Sequence, residues 1–171
     1  ILAAMKRRTT SESIHSLIGE LRERIPGLAI RSTVMVGFPG ETDEEFSELM
    51  DFIEEVRFER LGAFMYSNEE GSSAHGFEGQ ISPEVKKERL DRVMKAQQEI
   101  SRRQNEAYLN KTIEVLIDAE CEDGGYVGRT EHDAPSVDGQ VLVEGTGLSA
   151  GDFVTVRITD TLEYDLAGEV I

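Results

Sequence analysis

The chain has 171 residues, enough for one ordinary domain or two small ones. Apolar residues make up 39% of it, and no apolar run approaches the roughly 20 residues of a membrane span, which excludes wholesale disorder and a spanning helix. The formal net charge is −16, so the overall field repels nucleic acid and suits a basic partner.

Residues 10–25 are predicted to form a helix. Ile14, Leu17, Ile18, Leu21 and Ile25 recur on one helical face, Thr10 is a candidate N-cap, and Pro26-Gly27 ends the run. A strand is expected over residues 28–36, followed by the turn Gly37-Phe38-Pro39-Gly40. Thr42 with Glu45 forms a capping box for a second helix, whose apolar stripe is Phe46, Leu49, Met50 and Ile53. Leu61 to Tyr66 reads as the next strand. Helix, strand, helix, strand implies parallel strands in an α/β layer. Ser82-Pro83-Glu84 opens a long helix running to about Leu109, with a thin apolar face of Val85, Leu90, Val93, Met94 and Ile100. Beyond it, five short strands are expected near 111–119, 125–130, 140–144, 152–159 and 165–171, which fit a small antiparallel barrel of the oligonucleotide-binding type.

Charge divides the chain at the same place. Residues 1–110 carry net −5, and residues 111–171 carry net −11 with only Lys111, Arg129 and Arg157 as cations. Two domains are therefore expected. Ile1-Leu2-Ala3-Ala4-Met5 reads as a helix interior, so the chain is expected to be a fragment of a longer protein.

The candidate sites each have a plainer reading. Gly37-Phe38-Pro39-Gly40-Glu41-Thr42 joins a strand to a helix, where α/β sheets place ligands, but such turns also exist for geometry alone. No Gly-Lys-Ser/Thr follows, so it is not a phosphate loop. Lys6-Arg7-Arg8 could meet a carboxylate or phosphate, or be a solvated surface. Glu41, Asp43, Glu44 and Glu45 are read as helix-capping acids rather than an acid–base cluster. Cys121 is the one cysteine, which excludes an internal disulfide and a self-contained cysteine-ligated metal or iron–sulfur site. Glu120, Glu122 and Asp123 beside it oppose thiolate formation, so no nucleophile is assigned. His15 and His132 read as surface residues and His75 as a loop residue, too scattered for a zinc motif. The acids of the second domain are either a solvated face or a dock for a basic protein.

Three stretches together resemble a known family. Ile30 to Thr42, the Met5-Lys6-Arg7 element upstream and Tyr66-Ser67-Asn68-Glu69-Glu70-Gly71 downstream are similar to the radical S-adenosylmethionine methylthiotransferases, over essentially the whole chain. Gly128-Arg129-Thr130, Asp133-Ala134-Pro135, Pro83 to Arg89 and Glu163-Tyr164-Asp165-Leu166 resemble its RimO-type branch, which modifies a ribosomal protein, rather than the branch that modifies transfer RNA. The resemblance implies the C-terminal part of a radical S-adenosylmethionine βα barrel (1–80), a connecting helix (81–109) and a β-barrel TRAM domain (110–171). It implies a cytoplasmic enzyme that methylthiolates the β-carbon of an aspartate in the twelfth small-subunit ribosomal protein, using S-adenosylmethionine and two 4Fe-4S clusters. The cluster cysteines are not in this chain, so no catalytic or metal-ligating residue is assigned and the chain alone is expected to be inactive. Arg7, Ser32, Thr33, Gly37, Phe38, Pro39 and Gly40 are the expected S-adenosylmethionine contacts. Arg129, Asp133, Asp138 and Tyr164 are the expected docking surface for the ribosomal protein. Exposed strands at the truncated barrel edge make self-association an expectation as well. The alternatives are the same chemistry on transfer RNA and a non-catalytic binding module.

Overall fold

The computed structural model describes residues 1–122 and 124–171, and the chain divides into two units, Ile1–Gln97 and Gln98–Ile171. Asp123, one of the acids beside Cys121, lies outside the described residues.

The first unit holds α1 (Ser11–Arg24), β1 (Arg31–Val36), α2 (Asp43–Val56), β2 (Arg60–Met65) and the start of α3 (Pro83–Glu106). Its helix starts follow from side-chain caps. Thr10 and Ser13 cap α1 reciprocally, and Thr42 and Glu45 do the same for α2. Ser82 Oγ accepts the Val85 N–H at the start of α3. β1 and β2 pair in parallel, from Arg31 opposite Arg60 to Val36 opposite Met65. Pairing begins at Arg31 opposite Arg60, so Leu28 to Ile30, expected in the strand, stay outside it. Val36, Phe46, Ile53, Val56, Phe58 and Val93 are buried.

Ile1 to Met5 form turns rather than a helix interior. The Met5 N–H donates to the Ile1 carbonyl, and Lys6 then takes a left-handed φ of 57° that ends the run. His15, expected at the surface, is half-buried with its ring edge-on to Phe52 at 4.9 Å. His132 is half-buried too, while His75 is exposed in a loop.

The long helix α3 departs from its expected face. Val85 and Met94 are exposed, and the buried stripe is Arg89, Val93, Gln97, Ile100, Ser101 and Asn105. The spacing is helical but most of the residues are polar, so hydrophobic periodicity does not register them. Their donors are used. Gln97 Nε2 donates to the Phe58 carbonyl at 2.9 Å within the first unit, and Asn105 Nδ2 to the Leu162 carbonyl at 3.1 Å within the second. On the exposed side, hydrogen bonds from Arg102 and then Arg103 hold the Glu99 carboxyl down at about 2.

The second unit is a closed barrel of β3 (Thr112–Glu120), β4 (Tyr126–Arg129), β5 (Val141–Glu144), β6 (Phe153–Thr161) and β7 (Leu166–Val170), in the order β3-β4-β5-β7-β6. The expected small five-stranded barrel is present, but not antiparallel throughout: β5 and β7 run parallel, and the other four pairings are antiparallel. Arithmetic requires it. Strands that reverse at every neighbour cannot close a ring of odd number, so one pair must run parallel. Val115, Ile117, Tyr126, Val141, Val143, Val156, Ile158 and Leu166 fill the interior.

Two glycines turn the corners of this barrel. Register shifts fall between Ile117 and Ala119 opposite β4, and between Ile158 and Asp160 opposite β7. Gly128 faces the first shift and Gly168 the second. A Cβ on Gly128 would lie 2.6 Å from the Leu116 carbonyl oxygen, and one on Gly168 only 2.4 Å from that of Arg157. Bulge and glycine together let the strands bend inward enough to close. Gly168→Ala is expected to destabilise the barrel by about 1–3 kcal/mol. Gly19→Ala in α1, where nothing lies within 4 Å of the new atom, should instead stabilise by about 0.4–1 kcal/mol. Hydrogen exchange of the barrel amides and of the α1 amides measures the two effects separately.

Candidate functional site

In the first unit, the segment from Gly37 to Thr42 leaves the carboxyl end of β1 and enters α2. Gly37 and Gly40 adopt φ of 72° and 82°, which side-chain-bearing residues rarely tolerate. The Glu41 N–H donates to the Phe38 carbonyl at 3.0 Å, closing the turn, and the Gly40 N–H donates to the Gly79 carbonyl at 2.9 Å. Phe38 is buried rather than presented outward. It packs edge-on to Tyr66 and Phe77, with Ala74, Met5 and Met35 around the cluster.

Glu41 sets this turn. Its carboxylate accepts the Gly37 N–H at 3.0 Å and the Arg89 guanidinium at 2.5 Å, and both side chains are about 5% exposed or less. Arg89 also donates to the Glu41 carbonyl and, at 2.7 Å, to Asp43. Burial pulls the Arg89 pKa down, but hydrogen bonds to Asp43 and Glu41 outweigh it and hold the guanidinium above its ordinary value. One turn earlier on α3, Lys86 Nζ donates to the Tyr66 carbonyl at 2.9 Å. The Lys86 stem lies where a Gly37 side chain would go, 2.4 Å from the ideal Cβ position. Lys86 and Arg89 therefore bind the carboxyl ends of both strands to one helix face.

The acids 41–45 thus divide. Thr42 and Glu45 cap the helix, whereas Glu41 and Asp43 serve Arg89. The Lys86 and Arg89 partnerships are not visible in sequence, since a partner of Glu41 lies 48 residues away. The signal available was the i, i+3 spacing of two cations in Pro83 to Arg89.

The other expected contacts scatter. Ser32 and Thr33 are adjacent on β1 and so point to opposite faces of the sheet. Thr33 shares its face with Gly62 and Phe64. A Cβ on Gly62 would meet only the Thr33 side chain, at 3.7 Å, and Phe64 is 47% exposed. Arg7 is exposed, two residues from Met5, which packs on the Phe38 cluster.

In the second unit, the expected docking residues form two pairs. Arg129 and Asp133 line one groove of about 370 Å3, together with Tyr108, Glu114, Leu116 and Phe153. Arg129 is ion-paired to Asp118. Asp133 accepts the Thr130 hydroxyl at 2.6 Å and shapes the loop that follows β4. Asp138 accepts the Ala134 N–H at 2.7 Å, organising the next loop. That loop continues to Gly139, whose ideal Cβ position lies 1.9 Å from the Tyr164 carbonyl oxygen, so only glycine passes there. Burial, then the charge of Glu163, pushes the Tyr164 hydroxyl pKa up. Among the described residues, no group of three or more His, Cys, Asp or Glu is placed to hold a metal ion, and no helix is long and apolar enough to cross a membrane.

Arg89→Met is expected to cost about 3–5 kcal/mol, because it strands a buried carboxylate. The Gly37 amide should lose hydrogen-exchange protection in this variant. Unchanged stability together with unchanged Gly37 protection would show that the ion pair does not hold the turn.

Comparison with known proteins agrees with this architecture. A model of the TRAM domain matches residues 111–171. Across 172 residues the chain is 47% identical to a ribosomal protein uS12 methylthiotransferase RimO of Clostridioides difficile, covering 100% of this chain and 39% of that protein. The same-named proteins of Desulforamulus reducens and Heliobacterium modesticaldum are 48% and 46% identical, over 99% and 100% of this chain and 39% and 37% of their own lengths. The chain thus spans about two-fifths of the length of the curated relatives it matches. From end to end it is a relative of the RimO-type methylthiotransferases, with a TRAM domain at residues 111–171.

Proposed function

We propose that this chain is the C-terminal part of a cytoplasmic radical S-adenosylmethionine enzyme that methylthiolates an aspartate of ribosomal protein uS12, and that its barrel docks that basic protein. The reading rests first on the relatives, which are named uS12 methylthiotransferases and align along the whole chain. The observation that carries the docking role is charge: net −11 on residues 111–171, on a fold of the kind that elsewhere binds nucleic acid through basic grooves. Ribosomal proteins that neutralise RNA are cationic, so complementarity favours the protein over transfer RNA.

The residues present fit one implied cofactor and not the other. Iron–sulfur clusters need several thiolates, and Cys121 is the chain's one cysteine, so the clusters would be held outside this chain. S-adenosylmethionine fits better. The exposed face of the β1–β2 sheet offers the Thr33 hydroxyl, the Phe64 ring, and a space at Gly62 where a side chain is missing. Such a set suits a nucleoside with a flat base and a hydroxylated sugar. When bound at a reduced cluster, this cofactor supplies radical chemistry strong enough to take hydrogen from an unactivated carbon. What the chain itself contributes is position: Lys86, Arg89 and Glu41 fix the turn from Gly37 to Gly40 beside that face.

A salt titration separates the two targets. The chain should bind purified uS12 at low ionic strength and weaken steadily as salt rises, with no comparable affinity for transfer RNA. Tight transfer-RNA binding whose logarithm falls steeply with salt would overturn the assignment.

A further inference from the structure

We propose that the groove between Phe153 and the Thr130–Asp133 loop, on the outer wall of the barrel, seats a lysine or arginine side chain from an extended basic polypeptide. This rests on, and sharpens, the reading that the barrel docks a cationic protein. The groove is built from cross-strand register. Arg129 on β4 is paired with Leu116 on β3, and Leu116 with Phe153 on β6, so the three stand in a row on one face. Leu116 is the floor, and the Phe153 ring, 67% exposed, is one wall. The other wall is the loop that Asp133 shapes through Thr130.

The charges along β3 are not equivalent. Glu114, Leu116 and Asp118 alternate onto the same outer face. Asp118 is already neutralised by Arg129. Glu114 has no ion-pair partner among the described residues, and Glu131, at the loop, has only His132 nearby at 3.8 Å. The groove therefore pairs an apolar floor and ring with an unneutralised carboxylate one step away. A lysine or arginine carries the matching parts: a methylene stem to lie along Leu116 and Phe153, and a cation to meet Glu114. At about 370 Å3 the groove sits at the small end of ligand pockets, about 300–1,000 Å3, which suits one or two side chains. A phosphate backbone would meet Glu114 and Glu131 with the wrong sign.

The test uses the whole chain, labelled for amide NMR, and three probes: a short lysine- and arginine-rich peptide, purified uS12, and a single-stranded RNA oligonucleotide. The peptide should move the amide signals of Leu116, Thr130 and Phe153. Glu114→Lys and Phe153→Ala should each weaken it about tenfold without changing thermal melting, since both side chains are exposed. Peptide shifts on other barrel walls, unchanged affinity in both variants, or displacement of the peptide by RNA from these residues would overturn the groove. If uS12 binds but its shifts lie elsewhere on the barrel, the groove falls while the docking role stands. If uS12 does not bind but the peptide still seats here, the groove stands and the uS12 reading falls.

Discussion

Closure of a five-stranded ring is the constraint on which the second unit depends. Side chains alternate along each strand, so filling the interior with Val115, Ile117, Val156 and Ile158 sends Glu114, Leu116, Asp118, Arg157 and Glu169 outward. The surface charge is therefore a consequence of the same register that makes the core. A closed ring leaves no strand edge for a partner to extend. A partner on this barrel would have to meet side chains of its outer wall, where acids outnumber cations.

The first unit solves a different problem. Two parallel strands cannot be joined by a hairpin, and their carboxyl ends would be loosely held by a crossover alone. Here a third helix supplies the missing order with polar groups. Lys86 caps the end of β2 at the Tyr66 carbonyl, Arg89 and Glu41 hold the turn after β1, and Gln97 reaches the Phe58 carbonyl just before β2. Each donor meets a backbone or carboxylate acceptor that would be costly to bury alone.

Much of this was legible in the sequence, and the failures have physical reasons. Capping residues are local, so Thr10, Thr42 and Ser82 marked their helices within a residue or two. Alternating β-branched runs and glycine turns located all five barrel strands. The parallel pairing of β5 with β7 is non-local, and only the odd strand count, taken with closure, requires it. The buried stripe of α3 is hidden from apolar periodicity because Arg89, Gln97, Ser101 and Asn105, four of its six residues, are polar. Family resemblance put forward the glycine turn and, for docking, Arg129 and Asp133, which the structure places on one groove. It did not find Glu41, whose role exists only through Arg89, nor Phe153, whose importance comes from the Leu116 register.

On the proposed reading, the acidic barrel rather than the α/β unit meets uS12. Hydrogen–deuterium exchange of the chain mixed with uS12 tests this most directly. Added protection concentrated within residues 111–171, strongest along β3, β6 and the loop after β4, is the predicted result. Protection confined to residues 1–97, with the barrel unchanged, would contradict it.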